Sequence, residues 1–399
     1  MSLVRLRLFY FCALGALGGS VPLLAARLDA LGVEPRSIGL LMAVLPAGRL
    51  VSGPLWGWYA DTTGRTRDLL VVGSLVALVG TVALARVDSL PLAALALAAF
   101  SIGRAPIGPL VDALTVETLE AVGRDRAAYG GVRLWGSVGF LATALLTSQL
   151  QARAGMDVPW PGIALAVLTT LLAWGFPTPR ATAGPAPIGP ALRALVGRPG
   201  MTAWLVFVAL QALTLSVYDT FFSMHVHRLG LPASTTGWAV AVGVLVEVSL
   251  MQAGGWFLQR LGAERMMLVA ALSAVPRFLL TGCATDAVTL VAVQALHGTS
   301  FAWFWLGAVQ WISVQASEAV SPARVHAQDE APTVTIARSA QSLLATASYG
   351  LGALIGALGA GEMARAYGTA AVFAGLGLVA VAAACAAGLV VRSATTSSR

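Results

Sequence analysis

The stretch that decides the fold is "SIGLLMAVLPAGRLVSGPLWGWYADTTGRTR", residues 37–67, because a related copy of it occurs later in the chain. Shifted by 198 residues, from Ser37 to Thr235, it aligns with "TTGWAVAVGVLVEVSLMQAGGWFLQRLGAER", residues 235–265. The matched pairs are Gly39 with Gly237, Ala43 with Ala241, Val44 with Val242, Trp58 with Trp256, Gly64 with Gly262 and Arg67 with Arg265. The chain therefore consists of two related halves.

The composition places both halves in a membrane. Of the 399 residues, 57% are hydrophobic and only 11% are charged, whereas soluble domains carry about 25% charged residues. A span needs about 20 apolar residues. Twelve such stretches occur, at roughly 6–28, 36–59, 69–86, 90–117, 129–150, 161–177, 201–224, 236–258, 266–284, 287–314, 334–360 and 368–391. This pattern predicts an all-α membrane protein with twelve transmembrane helices.

A proline- and glycine-rich stretch divides these spans into six and six. We predict an N-terminal six-helix half at residues 1–178, a cytoplasmic linker at 179–200 and a C-terminal half at 201–399. Two parallel halves related by an axis along the membrane normal are one of the architectures of secondary transporters.

The distribution of arginine predicts the orientation. With the N-terminus inside, fourteen arginines fall in inner loops and tails and six in outer loops. We therefore expect a multi-pass protein of a bacterial cytoplasmic membrane with both termini cytoplasmic. The net charge of +7 reflects this topology, and no nucleic-acid partner is expected.

The absence of certain residue types and motifs from the sequence excludes several classes of enzyme. The chain has no lysine, so it has no Walker A loop and no Schiff-base site. Its three cysteines lie in different spans, without metal-ligand spacing, and no G-x-S-x-G nucleophile elbow occurs. We expect a protein that is not an enzyme and holds no cofactor and no metal.

Ionisable residues inside the N-terminal spans are candidates for solute binding, because buried charges in membranes usually mark ion or substrate pathways. Arg133 has small residues on its helix face, Gly130, Gly136 and Ser137, which leave room for a ligand or a neighbouring helix. Asp112 is the expected partner of Arg133 or of Arg104. We predict Asp112, Arg133 and Arg104 as substrate-binding residues, and Arg49 is also buried in its span.

The C-terminal half places Glu247, Arg277 and His297 on three consecutive spans. A carboxylate, a guanidinium and an imidazole in this arrangement predict a proton relay. His297 is also a candidate for substrate binding, and Asp219 is a further candidate for proton coupling. Ion pairs that only fix the packing of helices are the alternative interpretation.

The loop after the second span, "GWYADTTGRTRD", resembles the cytoplasmic loop motif of the major facilitator superfamily. The motif residues are Gly57, Asp61, Gly64, Arg65 and Arg67. Glycines permit a tight turn, and Asp61 can cap a helix or pair with an arginine. The resemblance implies a gate that latches the two halves together on the cytoplasmic side.

Four further stretches, "PLVDALT", "YGGVRLWGSVGF", "VLVEVSL" and "VQALHGTSF", look like the phenylpropionate permease family of the lactose-permease-like branch. The resemblance implies proton-coupled uptake of a small organic solute, with Asp112, Arg133, Glu247 and His297 as site residues. In the lactose permease a carboxylate follows the tenth-helix histidine by three positions, where this chain has Ser300. This departure argues against lactose as substrate and shifts the proton step towards Glu247.

Together these features predict a monomeric symporter that works by alternating access, with a proton as coupling ion. An aromatic carboxylate, a sugar or a nucleoside would fit a buried arginine surrounded by aromatic residues. Two alternatives stay open, which are efflux by a drug:proton antiporter and a non-transporting assembly factor on the same fold.

Overall fold

The computed structural model is helical, and the part of the chain that it describes contains no strand. The described residues are 2–86, 89–123, 129–155, 159–176, 196–319 and 343–397, except for the side chains of Pro54, Trp58, Asp61, Glu120, Tyr349 and residues 394–397. Most of the predicted linker at 179–200, and the candidate ionisable residue Arg338, lie outside these ranges.

The N-terminal half contains eight described helices, and the C-terminal half contains seven and one π-helical turn. The first half has α1 Leu3–Gly18, α2 Leu24–Ala30, α3 Pro35–Thr63, α4 Thr66–Leu84, α5 Leu90–Arg104, α6 Ile107–Ala121, α7 Tyr129–Ala154 and α8 Trp160–Ala173. The second has α9 Met201–Arg228, α10 Ser234–Gln252, α11 Gly254–Leu261, α12 Ala263–Cys283, α13 Ala287–Val293, α14 Ala295–Ala319, the π-helix Thr346–Gly352 and α15 Ala353–Ser397.

Within the described ranges, eight helical segments are long and apolar enough to cross a membrane, and α8 is a shorter apolar helix. The last segment contains a break at Gly368, whose φ of 83° is not helical. Two spans are therefore joined there. The chain is an all-α membrane protein, and these helices are compatible with the twelve predicted spans.

Several predicted spans are interrupted. The first is divided between α1 and α2, and the fourth is divided between α5 and α6 beside Pro106. Proline lacks the N–H that continues a helix. Breaks at Ala253 and Gln294 divide the eighth and tenth spans. Hydropathy alone does not register such breaks, because apolar side chains continue across them.

The repeat is visible in the backbone. Gly32 and Gly230 occupy equivalent turns with φ of 79° and 71°, and Gly64 and Gly262 have φ of 65° and 76°. Left-handed backbone of this kind favours glycine. The two halves therefore turn at matching positions, each at a glycine with positive φ, although ψ is 9° at Gly64 and 160° at Gly262.

The halves meet at one end of the bundle. A Cβ atom on Gly39 of α3 would lie 2.8 Å from the Cα of Gly361 in α15, and one on Gly237 of α10 would lie 1.8 Å from the Oγ of Ser148 in α7. Gly39 and Gly237 are repeat partners. We call this end, with α2, the start of α3, the end of α9 and the start of α10, the sealed end.

The apolar core confirms this asymmetry. One buried cluster, which includes Ile38, Phe221 and Phe373, draws side chains from both halves near the sealed end. Two other clusters belong to a single half each. At the opposite end, which we call the open end, Arg198 at the end of the linker donates to Gln315 at 2.7 Å and pairs with Glu318, so the described contacts there do not join the two halves.

Candidate functional site

The N-terminal part of the candidate site joins α1, α6 and α7. The hydroxyl of Tyr10 donates to Oδ1 of Asp112 at 2.5 Å, and Nε of Arg133 lies 4.0 Å from the same oxygen. The guanidinium of Arg133 also lies 5.6 Å from the centre of the Tyr10 ring. The structure thus brings Asp112 and Arg133 together as expected, and it adds Tyr10 as a third member.

Small residues make room for this cluster. A Cβ atom on Gly136 would lie 3.3 Å from Nη1 of Arg133 and 3.1 Å from Leu14, so a larger side chain would crowd the guanidinium. The side chains of Asp112 and Arg133 remain 41% and 40% exposed. The pair is therefore accessible, and a ligand with complementary polar groups could exchange with it.

Arg104 lies apart from this pair. Its Nη1 donates to the carbonyl oxygen of Ala13 at 2.8 Å, and its guanidinium lies 5.8 Å from the ring centre of Phe100. Of the two partners expected for Asp112, the structure shows Arg133 and not Arg104, and a helix break separates Arg104 from Asp112, because α5 ends at Arg104 and α6 begins at Ile107. Its role in binding stays a prediction.

The C-terminal part of the site centres on Glu247 and His297. Oε2 of Glu247 lies 3.8 Å from Nε2 of His297, and both side chains are largely buried. Glycines on both helices allow this approach, because a Cβ atom on Gly298 would lie 2.6 Å from the backbone nitrogen of Glu247, and one on Gly243 would lie 3.1 Å from the imidazole. Nδ1 of His297 has no hydrogen-bond partner among the described residues.

Arg277 is fully buried beside this pair and is held by neutral groups. Its Nε donates to Oε1 of Gln294 at 3.1 Å, its Nη1 donates to Oγ of Ser300 at 3.3 Å, and its guanidinium lies 4.1 Å from the ring centre of Tyr218. Within the described chain, no carboxylate lies within 4.0 Å of it. The predicted relay is therefore two adjoining residues, with Arg277 as a neighbouring positive charge.

The polar groups of the two halves face each other. Asp219 is exposed although Val217 and Tyr218 beside it are buried, and it interacts electrostatically with Arg277 and with Arg49 of the other half. Glu247 interacts in the same way with Asp219 of its own half and with Arg133 of the other half. Since lipid-facing groups would not couple across the bundle, we infer that these side chains line its interior.

The gate motif lies at the turn between α3 and α4, at the open end. Gly64 caps α3 with left-handed backbone, and Nε of Arg67 lies 3.5 Å from Asp68 of the same half. Gly57 has open space around it, and Arg65 is exposed. The side chain of Asp61 lies outside the described residues, so the latch between the halves stays a prediction.

At the sealed end the structure reveals an ion-pair cluster that the sequence did not indicate. Asp29 accepts hydrogen bonds from Nε and Nη2 of Arg228 at 3.1 and 2.8 Å, and from Nδ1 of His227 at 2.9 Å. We call these three residues the clasp, because Asp29 belongs to α2 and the other two to α9. The only signal in the sequence was that Asp29 and His227 are repeat partners.

Other contacts were missed for a related reason. The sequence analysis considered ionisable groups inside spans, whereas Tyr10 and Gln294 are neutral polar residues that form hydrogen bonds there. A search of the spans for hydroxyl and amide side chains would have found both.

Within the described chain, no group of three His, Cys, Asp or Glu residues has the geometry to hold a metal.

Comparison with known proteins decides the family. A model of the MFS_1 like family matches residues 3–374. The chain belongs to this family, within the major facilitator superfamily. Its fold accordingly resembles that of the nucleoside transporter NupG, with a TM-score of 0.79 at 17% identity over 98% of this chain and 99% of that one.

Two proteins with curated descriptions are similar to this chain over most of their length. A maltose permease of Geobacillus stearothermophilus is 29% identical over 274 residues, which cover 68% of this chain and 69% of the permease. A protein of Escherichia coli (strain K12) described as "Probable 3-phenylpropionic acid transporter" is 28% identical over 326 residues, which cover 79% of this chain and 83% of that protein. This MFS_1 like protein is therefore an integral membrane transporter of a small molecule.

Proposed function

We propose that this transporter is a proton-coupled symporter that takes up a small organic solute by alternating access in a bacterial inner membrane. The observation that carries the proposal is the Glu247–His297 pair, 3.8 Å apart and largely buried in the middle of the bundle. Ionisable side chains at this depth in a membrane cost free energy, so they are usually functional. A carboxylate and an imidazole can both gain or lose a proton.

The coupling follows from charge. Glu247 interacts electrostatically with Arg133, which itself lies beside Asp112 in the solute-binding cluster. Adding a proton to Glu247 removes one negative charge that faces Arg133. Because Glu247 is largely buried and water screens its charge little, the protonation of Glu247 and the occupation of the Arg133 cluster depend on each other.

The solute class is proposed from the same cluster. A guanidinium, a carboxylate and a phenolic hydroxyl offer donors and an acceptor to carboxylates or sugar hydroxyls, and Tyr10 offers an aromatic face. The similar proteins are named for maltose, 3-phenylpropionic acid and nucleosides. We therefore propose an aromatic carboxylate, a sugar or a nucleoside.

The direction of access follows from the arginine count. If both termini are cytoplasmic, the sealed end is the outer one and the open end faces the cytoplasm. The structure then represents the state that has closed behind the solute. Opening of the sealed end would have to break the clasp and separate the helix contacts at Gly39 and Gly237.

The test uses Glu247→Gln in liposomes that contain a pH-sensitive dye, challenged with aromatic acids, sugars and nucleosides. Wild-type protein should acidify the lumen when a gradient of its solute drives uptake. The variant should still exchange labelled solute across the membrane but should lose uphill accumulation, because the amide cannot carry a proton. The matched control is Glu117→Gln, since Glu117 is an exposed carboxylate near the end of α6.

Each outcome separates the alternatives. Full uphill accumulation by Glu247→Gln would refute the coupling role. Proton movement opposite to the solute would replace symport by efflux through antiport. A protein that binds no member of the panel, and whose buried charges tolerate substitution, would be the assembly factor instead.

A further inference from the structure

A groove of about 580 Å³ lies away from the polar cluster, at the sealed end between the two halves. Its walls are the last turns of α7, with Leu145, Gln149, Ala152 and Arg153, and the start of α10 with the residues before it, Pro232, Ser234 and Trp238. The volume lies within the range of about 300–1,000 Å³ that is typical of small-molecule sites.

The polar part of the groove suits an anion. Arg153 is the only charged residue of its lining and is exposed, and no ion pair of Arg153 occurs among the described residues. Gln149 and Ser234 add an amide and a hydroxyl. Ser234 is also the first residue of α10, a 19-residue helix whose first backbone N–H groups carry partial positive charge.

The apolar part of the groove continues towards the middle of the membrane. Trp238 is 51% exposed, and Leu245, two turns further along the same face of α10, is 59% exposed. On α7, Val138 stands in the same relation to Leu145 and is 41% exposed. An anion site above two strips of exposed apolar side chains has the polarity of a phospholipid, and tryptophan is typical of the membrane interface.

We propose that this groove binds a phospholipid, with its phosphate at Arg153, Gln149 and Ser234 and its acyl chains along Trp238 and the apolar strips below. One wall belongs to each half, and the contact of Gly237 with Ser148 lies beside it. The groove loses a wall when the sealed end opens. The bound lipid therefore stabilises the sealed state.

The test measures thermal stabilisation of the detergent-purified full chain by dioctanoyl phosphatidylglycerol. Two related molecules separate the parts of the ligand: dioctanoylglycerol lacks the phosphate, and glycerol 3-phosphate lacks the chains. We expect the melting temperature to rise with the phospholipid only, as binding to the folded state requires. Arg153→Ala should weaken the apparent affinity about tenfold or more, because it removes a charge-assisted contact.

Matched variants control for general effects. Arg86→Ala removes an exposed arginine at the same end, and Trp160→Ala removes a tryptophan that is 50% exposed, so both should respond like the wild type. Trp238→Ala should lose the response. The proposal is overturned if the phospholipid gives no rise, if dioctanoylglycerol matches it, if glycerol 3-phosphate alone suffices, or if the control variants lose the response equally.

Discussion

Neutralising Asp29 should open the sealed end. The side chain of Asp29 is only 8% exposed, and it accepts three hydrogen bonds from Arg228 and one from His227, both of the other half. Asp29→Asn keeps the size of the side chain and removes its charge. The amide can keep only part of these bonds, and it cannot form an ion pair, so the sealed state loses stability relative to the state in which the halves separate there.

The magnitude follows from the burial of the partners. Removing one member of a fully buried ion pair costs about 3–5 kcal/mol. Here Arg228 and His227 are 34% and 47% exposed, so water screens and rehydrates them in part. We therefore expect about 1–2 kcal/mol, which shifts the ratio of sealed to open molecules by a factor of about 5–30.

Distances between spin labels measure this shift. The labels would be placed at Leu31 in the N-terminal half and Tyr367 in the C-terminal half, which are 59% and 76% exposed, after replacement of the three native cysteines. In the wild type the short distance of the sealed state should dominate. In Asp29→Asn a longer distance should gain population by the factor given above.

The control is Asp286→Asn. Asp286 is an exposed carboxylate that accepts a hydrogen bond from the backbone N–H of Thr289 at 2.9 Å, and this bond lowers the pKa of Asp286. Its contacts are local to the start of α13, so the label distances should not change. The reasoning is refuted if Asp29→Asn leaves the distance distribution as in the wild type, or if Asp286→Asn changes it equally.

Two further predictions concern helix contact and solute binding. Gly237→Ala places a Cβ atom 1.8 Å from the Oγ and 2.8 Å from the Cβ of Ser148. Rotation of the hydroxyl relieves only the first contact, so α7 and α10 must move apart, and the same labels should show a sealed state weakened by about 1–3 kcal/mol. Tyr10→Phe keeps the ring and removes the hydrogen bond to Asp112, so solute affinity measured by calorimetry should fall about fivefold to tenfold.

The control variants change a glycine and a tyrosine that lie in open surroundings. Gly255→Ala should leave the label distances unchanged, since nothing lies within 4 Å of a Cβ atom at Gly255. Tyr367→Phe should leave solute affinity unchanged, because Tyr367 is 76% exposed. A wild-type distance distribution in Gly237→Ala, or wild-type affinity in Tyr10→Phe, would contradict the respective prediction.

The sequence alone determined the class of the protein and predicted its division into two related halves. Apolar stretches of span length and the absence of lysine are properties of composition, and they do not depend on how the helices pack. The repeat paired Gly64 with Gly262, and both have a positive φ in the structure, although their ψ angles of 9° and 160° differ. Resemblance to the major facilitator superfamily, noted from the loop motif, agrees with the family match over residues 3–374.

Only the tertiary structure decided which side chains meet. Tyr10, which binds Asp112, lies 102 positions away from it in the sequence. The clasp joins Asp29 to residues that are 198 and 199 positions away. Spacing along one helix fixes which residues share its face, but the rotation and tilt of a second helix fix which face it meets. Arg104 illustrates the limit, because instead of the possible pairing with Asp112 it donates a hydrogen bond to the carbonyl oxygen of Ala13 in α1.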